Sequence, residues 1–399
     1  MSQTPYIFNQ LCSFIPKDIF DRLVKKHNGN YNVKGYSCWN HLLVMLWAQI
    51  TSRRSLRDIE SSLRTHSDKL FRFGMGSMIS RNNISNANAK RTVAIYRELA
   101  LVMMRRTSRI ADKDEVLSAI RKYFDINGFF AIDSTTVSLD LDKFPWSVPQ
   151  EGWGGIKVHT MFDLLRCVPR MCLITGHEEK DQTFMEDYPY EAGCIYMFDK
   201  MYFKTRGLDK VRSRGAFFVI RIKSNVVYEV LEHYPVGGQH VLADQAIRFT
   251  SRWASRGYPE KLRLVRFYSS EKNAVISFVS NHFDLDAATI AMLYKYRWQI
   301  ELFFRWIKQH LRITSFYGTS ANAVMIQIYT AYTAFCILAL AADAAGFKGS
   351  LYEFSNIASV ALTERIMLTD LLERYRMDKE KSDKTVQLTL FDFDNLSQN

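Results

Sequence analysis

Apolar residues along this chain change their spacing more than once, and the changes divide it before any residue is given a role. Over residues 1–110 they recur at helical period in Asp18–His27, Cys38–Ile50, Leu56–Leu63 and Ile84–Met104, which predicts a small all-helical N-terminal domain. From Gly128 the pattern becomes short runs rich in β-branched and aromatic residues. FFAIDSTTVSL, IKVHTMFDLL, PRMCLITGH, CIYMFDKMYF and GAFFVIRIKS, separated by turn residues, predict five strands. The first three lie close enough for antiparallel hairpins. A helix-like stretch at Gln182–Tyr188 follows the third, so the last two can join in parallel through crossovers. The expected fold class is α/β, a mixed sheet flanked by helices.

Four more strand-like runs, VVYEVLEH, QHVLADQAIRFTS, KLRLVRFYSS and AVISFVSNHF, make 224–285 a β-rich insertion between 111–223 and the helices that follow. Helical period returns from Asp286 to about Arg312, from Asn322 to Ala345 and from Leu351 to Arg376, so 286–376 closes the domain begun at 111. Residues 377–399 read as a polar, mobile tail of mixed charge.

Ile313 to Ala342 carries no charged side chain and is long enough to span a bilayer. Its Thr, Ser, Asn and Gln residues argue against that, and Val324–Leu340 instead predicts a helix buried by its neighbours. The N-terminus lacks a basic region followed by a long apolar run, so secretion is not indicated. The six cysteines are scattered without a C-x-x-C pair, which disfavours a disulfide framework or structural zinc and fits a reducing cytoplasm.

Charge adds a partner. The chain has a net charge of +12, and residues 1–110 hold 18 Lys and Arg against 6 Asp and Glu, so this segment carries the whole imbalance. Such confinement is the footprint of a module that binds a polyanion. Ser55 stands as an N-cap before LRDIESSL, the turn residues Gly74, Gly76 and Ser77 follow, and ISRNNISNANAKR opens another helix, an order compatible with a helix-turn-helix. Arg81, Asn82, Asn83, Asn86, Asn88, Lys90 and Arg91 would then face DNA, or serve as ordinary caps and polar surface.

Candidate chemistry lies in three acids. Asp133 follows the apolar run FFAI and Asp199 follows CIYMF. A charge emerging from a buried strand is costly unless it opens into a cleft or binds a cation, although either residue could simply begin a loop. Glu301 is the sole carboxylate between Asp286 and Asp343. On a helix, Tyr294, Arg297, Glu301, Arg305, Lys308 and Arg312 share one stripe, and Leu293, Ile300, Phe303, Phe304, Ile307 and Leu311 another. Glu301 could make i±4 ion pairs with Arg297 and Arg305, yet one acid among cations also suits a metal held against phosphates. Together the three acids form a hard-oxygen set for Mg²⁺ or Mn²⁺, two of which would support in-line attack at phosphorus. Asp140, Asp142, Asp163 and Asp181 are competing acids.

In this order of elements, and in the Y-x-x-R-x-x-x-E-x-x-x-x-x-x-K spacing of Tyr294, Arg297, Glu301 and Lys308, the chain resembles the DDE transposases of bacterial insertion sequences, specifically the YREK-signature group, insertion-sequence family four. The resemblance implies a ribonuclease-H-like core interrupted by the β insertion, with Asp133, Asp199 and Glu301 as the metal triad for two Mg²⁺ ions, Mn²⁺ being an alternative. It implies that Tyr294, Arg297 and Lys308 contact phosphates of the transposon ends. The activity it implies is cut-and-paste movement by strand cleavage and 3′-hydroxyl transfer at terminal inverted repeats. The partners are then double-stranded DNA at the ends and at the target, in a synaptic homodimer without a membrane. GGIKVH, with Lys157 and His159, also looks like family sequence and implies DNA contact or site support. Relatives follow the second Asp with Arg-Gly-Tyr, where this chain has Lys200, Met201 and Tyr202. Trp253, between Arg252 and Arg256, is either a core residue or a platform for a flipped base. A non-catalytic DNA-binding regulator derived from a transposase and a ribonuclease-H-like nuclease are the alternatives.

Overall fold

The computed structural model describes residues 4–394 apart from 77–78, 148–153, 187, 224, 238–239, 272, 312 and 314, with side chains as far as residue 381. Seven helices come first: α1 (Ile7–Cys12), α2 (Lys17–Lys26), α3 (Cys38–Ile50), α4 (Leu56–Arg64), α5 (Arg81–Lys90), α6 (Val93–Arg106) and α7 (Glu115–Tyr123). Polar side chains set several of their starts. Ser37 and Asn40 form a capping box on α3, and Ser55, Ser80 and Asp114 each accept a backbone N–H at the head of α4, α5 and α7.

Two helical expectations are corrected here. The single helix expected over Ile84–Met104 is two, because Arg91 is extended and Thr92 caps a new start. Arg91 and Asn88, expected on a DNA-facing surface, are buried. The Arg91 guanidinium donates to the carbonyls of Gly29 and Tyr36, to Asn30 Oδ1 and to Cys38 Sγ, pinning the α2–α3 loop, while Asn88 Oδ1 meets His41 Nε2 at 2.9 Å. Periodicity missed this, since a polar side chain that finds carbonyl partners can be buried where spacing places it outside. Arg91→Lys should therefore lower stability by about 1.5–3 kcal/mol in urea unfolding, because an ammonium cannot serve that fork of acceptors. Unchanged stability with weakened DNA binding would return Arg91 to the surface role.

The strands are β1 (Gly128–Leu139), β2 (Gly154–Asp163), β3 (Val168–Gly176), β4 (Cys194–Phe198), β5 (Phe217–Arg221), β6 (Tyr228–His233), β7 (Val241–Phe249), β8 (Leu262–Ser269) and β9 (Ala274–Ser280). They form one sheet in the order β3-β2-β1-β4-β5-β9-β8-β7-β6. As expected, β1, β2 and β3 pair antiparallel, and β4 and β5 join in parallel. Residues 181–186 form a 3-10 turn, and α8 (Thr205–Ser213) makes the crossover from β4 to β5. The strands of the β-rich segment do not form a separate sheet, because β9 pairs antiparallel with β5 and extends the same one.

After β7 comes α9 (Arg252–Gly257), and after β9 come α10 (Ala287–Tyr296), α11 (Trp298–His310), α12 (Ala321–Ala344), α13 (Leu351–Ala361) and α14 (Leu368–Asp394). α14 takes in most of the stretch expected to be a mobile tail. Its ion pairs Arg376–Glu380 on one helix face and Lys379–Glu353 to α13 are features that polar composition did not reveal. α12 is long and apolar enough to cross a membrane, but 89% of its most apolar window is buried in the protein. It packs against α3, α6, β3 and α13, so the expectation of a central core helix holds and the N-terminal helices share its core.

Candidate active site

The site starts where two parallel strands leave the core. β1 is buried on both faces up to Ile132 and becomes partly accessible over Asp133–Thr136. β4 is buried throughout and ends at Phe198. Because Ile132 pairs with Phe198, Asp133 and Asp199 are the next positions in register, on strands roughly 5 Å apart. The parallel pairing of β1 with β4 stops there while β1 runs on to Leu139 beside β2, and such a parting of strands is where an α/β sheet opens a crevice. The Asp199 carboxylate accepts the Lys200 N–H and caps a 3-10 turn through Tyr202. Met201 is not among the residues of positive φ and needs no glycine-like backbone.

Glu301 arrives from the other side on α11, whose apolar stripe is spent on packing. Phe303 meets Phe162 of β2 at 5.1 Å and Phe335 of α12 at 5.0 Å, while Ile300 and Ile307 are fully buried. The opposite stripe then faces the part of β1 beyond its pairing with β4. Arg297 Nη1 donates to Asp133 Oδ2 at 3.0 Å and its Nη2 to Glu301 Oε1 at 2.6 Å, and Lys308 Nζ donates to the Thr136 carbonyl at 2.9 Å. The helix expected to run unbroken from Asp286 is interrupted at Arg297, and the guanidinium stacks 5.6 Å above the Tyr294 ring. Arg297 and Asp133 are well shielded, at 11% and 19% side-chain exposure, and Glu301 at 31% is open enough to reach a ligand.

Burial pushes the Asp133 carboxyl up to about 6. Arg297 and the Ser134 N–H pull against it, and the charges of Asp199 and Glu301 add to the rise. All three acids therefore share one electrostatic neighbourhood. Among the described residues, no three His, Cys, Asp or Glu side chains stand close enough to hold one ion, and Arg297 takes an oxygen of both Asp133 and Glu301. The donor chemistry still suits Mg²⁺ or Mn²⁺, since hard cations take carboxylate oxygens and would offset the like charge that reaches Asp133.

A fourth carboxylate stands nearby, one that sequence reasoning left among the competitors. Asp181 Oδ1 accepts the hydroxyl of Ser134 at 2.7 Å and pairs with Lys157 at 3.3 Å. Register with Ser134, which pairs with His159 across β1 and β2, would be the signal to find it, but strand pairing cannot be read from spacing. His159 is fully buried, bonds Thr175 at 3.0 Å, and burial holds its imidazole down to about 4, which makes it a neutral support. Of the other competitors, Asp163 binds Arg166 and nearby backbone, and Asp140 pairs with Lys143.

The remaining expected residues lie outside this centre. Arg305 is exposed on α11, and Arg312 lies outside the described residues. Trp253 is 76% exposed on α9, which excludes the core alternative. Arg81 and Lys90 are exposed on α5, with Asn82, Asn83 and Asn86 beside them.

Comparison with known proteins bears on this arrangement. Residues 127–337 match the transposase DDE domain, and residues 3–76 match a domain of unknown function. A Sinorhizobium fredii protein bearing the transposase name y4zB is 32% identical over 291 residues, which cover 71% of this chain and 77% of its own. A Synechocystis protein named as the transposase for insertion sequence element IS4SA is 27% identical over 330 residues, 80% of this chain and 88% of its own. Among solved structures, a piggyBac transposase synaptic complex with hairpin DNA superposes on 95% of this chain and 87% of its own, with a TM-score of 0.42 and 13% identity. The DDE-domain match runs from the residue before β1 into α12, more than half the chain, and takes in Asp133, Asp199 and Glu301; the chain belongs to the DDE transposase family.

Proposed function

We propose that this transposase moves an insertion sequence by cut-and-paste, cutting at terminal inverted repeats and joining the freed 3′-hydroxyl to target DNA, as a member of the YREK group. The observation that carries the reading is the register of Asp133 beside Asp199 with Arg297 tying Glu301 to Asp133. In this reading Asp133, Asp199 and Glu301 hold two divalent ions, Mg²⁺ or Mn²⁺. Bound there, such ions would activate a water or 3′-hydroxyl and offset charge on the leaving oxygen.

The chain's own groups supply the rest. For two carboxylates to become ligands, Arg297 must release an oxygen of each, and a DNA phosphate is the anion that fits its planar fork. Tyr294 and Lys308 flank it on the same stripe, and Arg305 extends the cationic face outward. Lys157 pairs with Asp181, which accepts the hydroxyl of Ser134 next to Asp133 on β1, and the neutral, buried ring of His159, cross-strand from Ser134, packs behind them. Trp253 offers an exposed ring for an unpaired base. Arg81 and Lys90 lie on the exposed face of α5, in the basic N-terminal segment that would hold the duplex. Two copies then act on paired ends.

The direct test incubates the purified protein with a plasmid bearing the element's own ends. Mg²⁺-dependent breaks with 3′-hydroxyl termini at those ends are expected, and no cutting with either Mg²⁺ or Mn²⁺ would overturn the reading. A second expectation follows from Asp133. Its proton is retained up to about pH 6, so Mn²⁺ affinity measured by calorimetry should strengthen as pH rises through that value, by up to about tenfold per unit below it. A flat profile would remove Asp133 from the ligand set. Without metal the sign reverses: the folded chain holds this proton longer than the unfolded chain, so this group's contribution to stability declines as pH rises towards about 6.

A further inference from the structure

A cavity of about 660 Å³ lies where the first five strands meet the last four, lined by Lys200, Arg221, Lys223, Tyr228, Arg266 and Ser277. Its four cations come from three places in the chain. Lys200 follows Asp199, Arg221 ends β5, Lys223 lies just beyond it, and Arg266 is on β8. Among the described residues none of the four makes an ion pair with a carboxylate, whereas Lys157, Arg166, Arg263 and Arg297 each do. Four uncompensated cations around one cavity repel one another and favour an anion. The cavity also has an apolar side, since Tyr228, Val226 and Val275 line it.

Its position selects the anion. Phe198 of β4 pairs with Ile220 of β5, so Arg221 and Asp199 are the next positions in register, which places the cavity beside the acids. A nucleic-acid chain with one phosphodiester at those acids would continue into it. We propose that this cavity binds a short single-stranded segment of DNA next to the cleavage point, with Lys200, Arg221, Lys223 and Arg266 on its phosphates and Tyr228 against a base or sugar. The proposal rests on the transposase reading above and adds a site that the three acids and the Tyr294–Lys308 stripe of α10 and α11 do not include. Aromatic and cationic groups lining a common groove are what single strands require.

The test measures binding without divalent metal, so that nothing is cut. The probes are a blunt fluorescent duplex carrying the element's end and the same duplex with a six-nucleotide single-stranded extension. The parent protein should bind the extended probe about tenfold more tightly, with a steeper salt dependence. Lys223→Ala/Arg266→Ala changes two exposed, unpaired side chains, so its melting temperature should match the parent. It should bind both probes alike, with the salt slope on the extended probe reduced by about 1.4, or ~0.7 for each lost phosphate contact on a single strand. A double variant that keeps the parent's preference for the extension overturns the cavity assignment and leaves the transposase reading standing. If the parent binds neither probe, both fall. Inorganic phosphate that abolishes the preference at low millimolar concentration would assign the cavity to a free anion and overturn the strand proposal.

Discussion

Asp133→Ala, Asp199→Ala and Glu301→Ala should each reduce strand cleavage at the element's ends by at least ~10³-fold, a loss of about 4 kcal/mol in transition-state stabilisation, while end binding stays close to the parent's. The two readouts separate because the acids sit within β1, just after β4 and on α11, whereas the basic surplus lies within residues 1–110. Glu301→Gln makes the comparison sharper. It keeps the shape and a hydrogen-bond acceptor for Arg297 but removes the charge, so it too should fail to cut. Asp181→Asn is the counterpart, because its carboxylate is held by Ser134 and Lys157; cutting should be slowed by misplacement of β1 but not lost. Undiminished Mg²⁺-dependent cutting by any one alanine variant would strike that residue from the triad.

The largest stability effect is expected at Arg263. Its side chain is 8% exposed, it grips Asp244 at 4% exposure through two hydrogen bonds, and it also donates to the carbonyls of Phe283 and Leu285. These bonds tie β7 and β8 to the segment that leads into α10, and through it to α11 and Glu301. Arg263→Ala leaves the Asp244 charge buried without a partner, which should cost about 3–5 kcal/mol in denaturant unfolding. Replacing both residues, as in Arg263→Met/Asp244→Leu, should recover most of that loss, because neither charge then has to be desolvated. A single variant within about 1 kcal/mol of the parent would mean that water reaches Asp244, contrary to its burial.

Much of the local structure was legible because it is written in short-range periodicity. The five runs from Gly128 onward became strands, and the stripe of Leu293, Ile300, Phe303, Phe304, Ile307 and Leu311 became the buried face that α10 and α11 present. The same spacing put Arg297, Glu301 and Lys308 on one side, so that Arg297 and Lys308 reach Asp133 and Thr136 of β1 while Arg297 also holds Glu301. Two acids after apolar strands were visible for a related reason, since a charge at the end of a fully buried run must emerge somewhere that tolerates it.

What the sequence determined by itself, then, was the kind of each element and the residues with chemical potential: apolar runs leading into Asp133 and Asp199, a helical stripe with one carboxylate among cations, and a basic first quarter; the strand at Asp133 continues to Leu139. The tertiary structure decided which of these meet. Only strand order places β4 beside β1 so that the two aspartates adjoin, runs β9 alongside β5 so that Arg221 and Arg266 line one cavity, and turns Arg91 inward towards carbonyls that lie more than fifty residues away in sequence. The reason is physical. Hydrophobic spacing reports the solvent contrast each segment experiences along its own length, whereas pairing partners, ion pairs and cavities depend on contacts between segments whose separation in sequence carries no periodic signal.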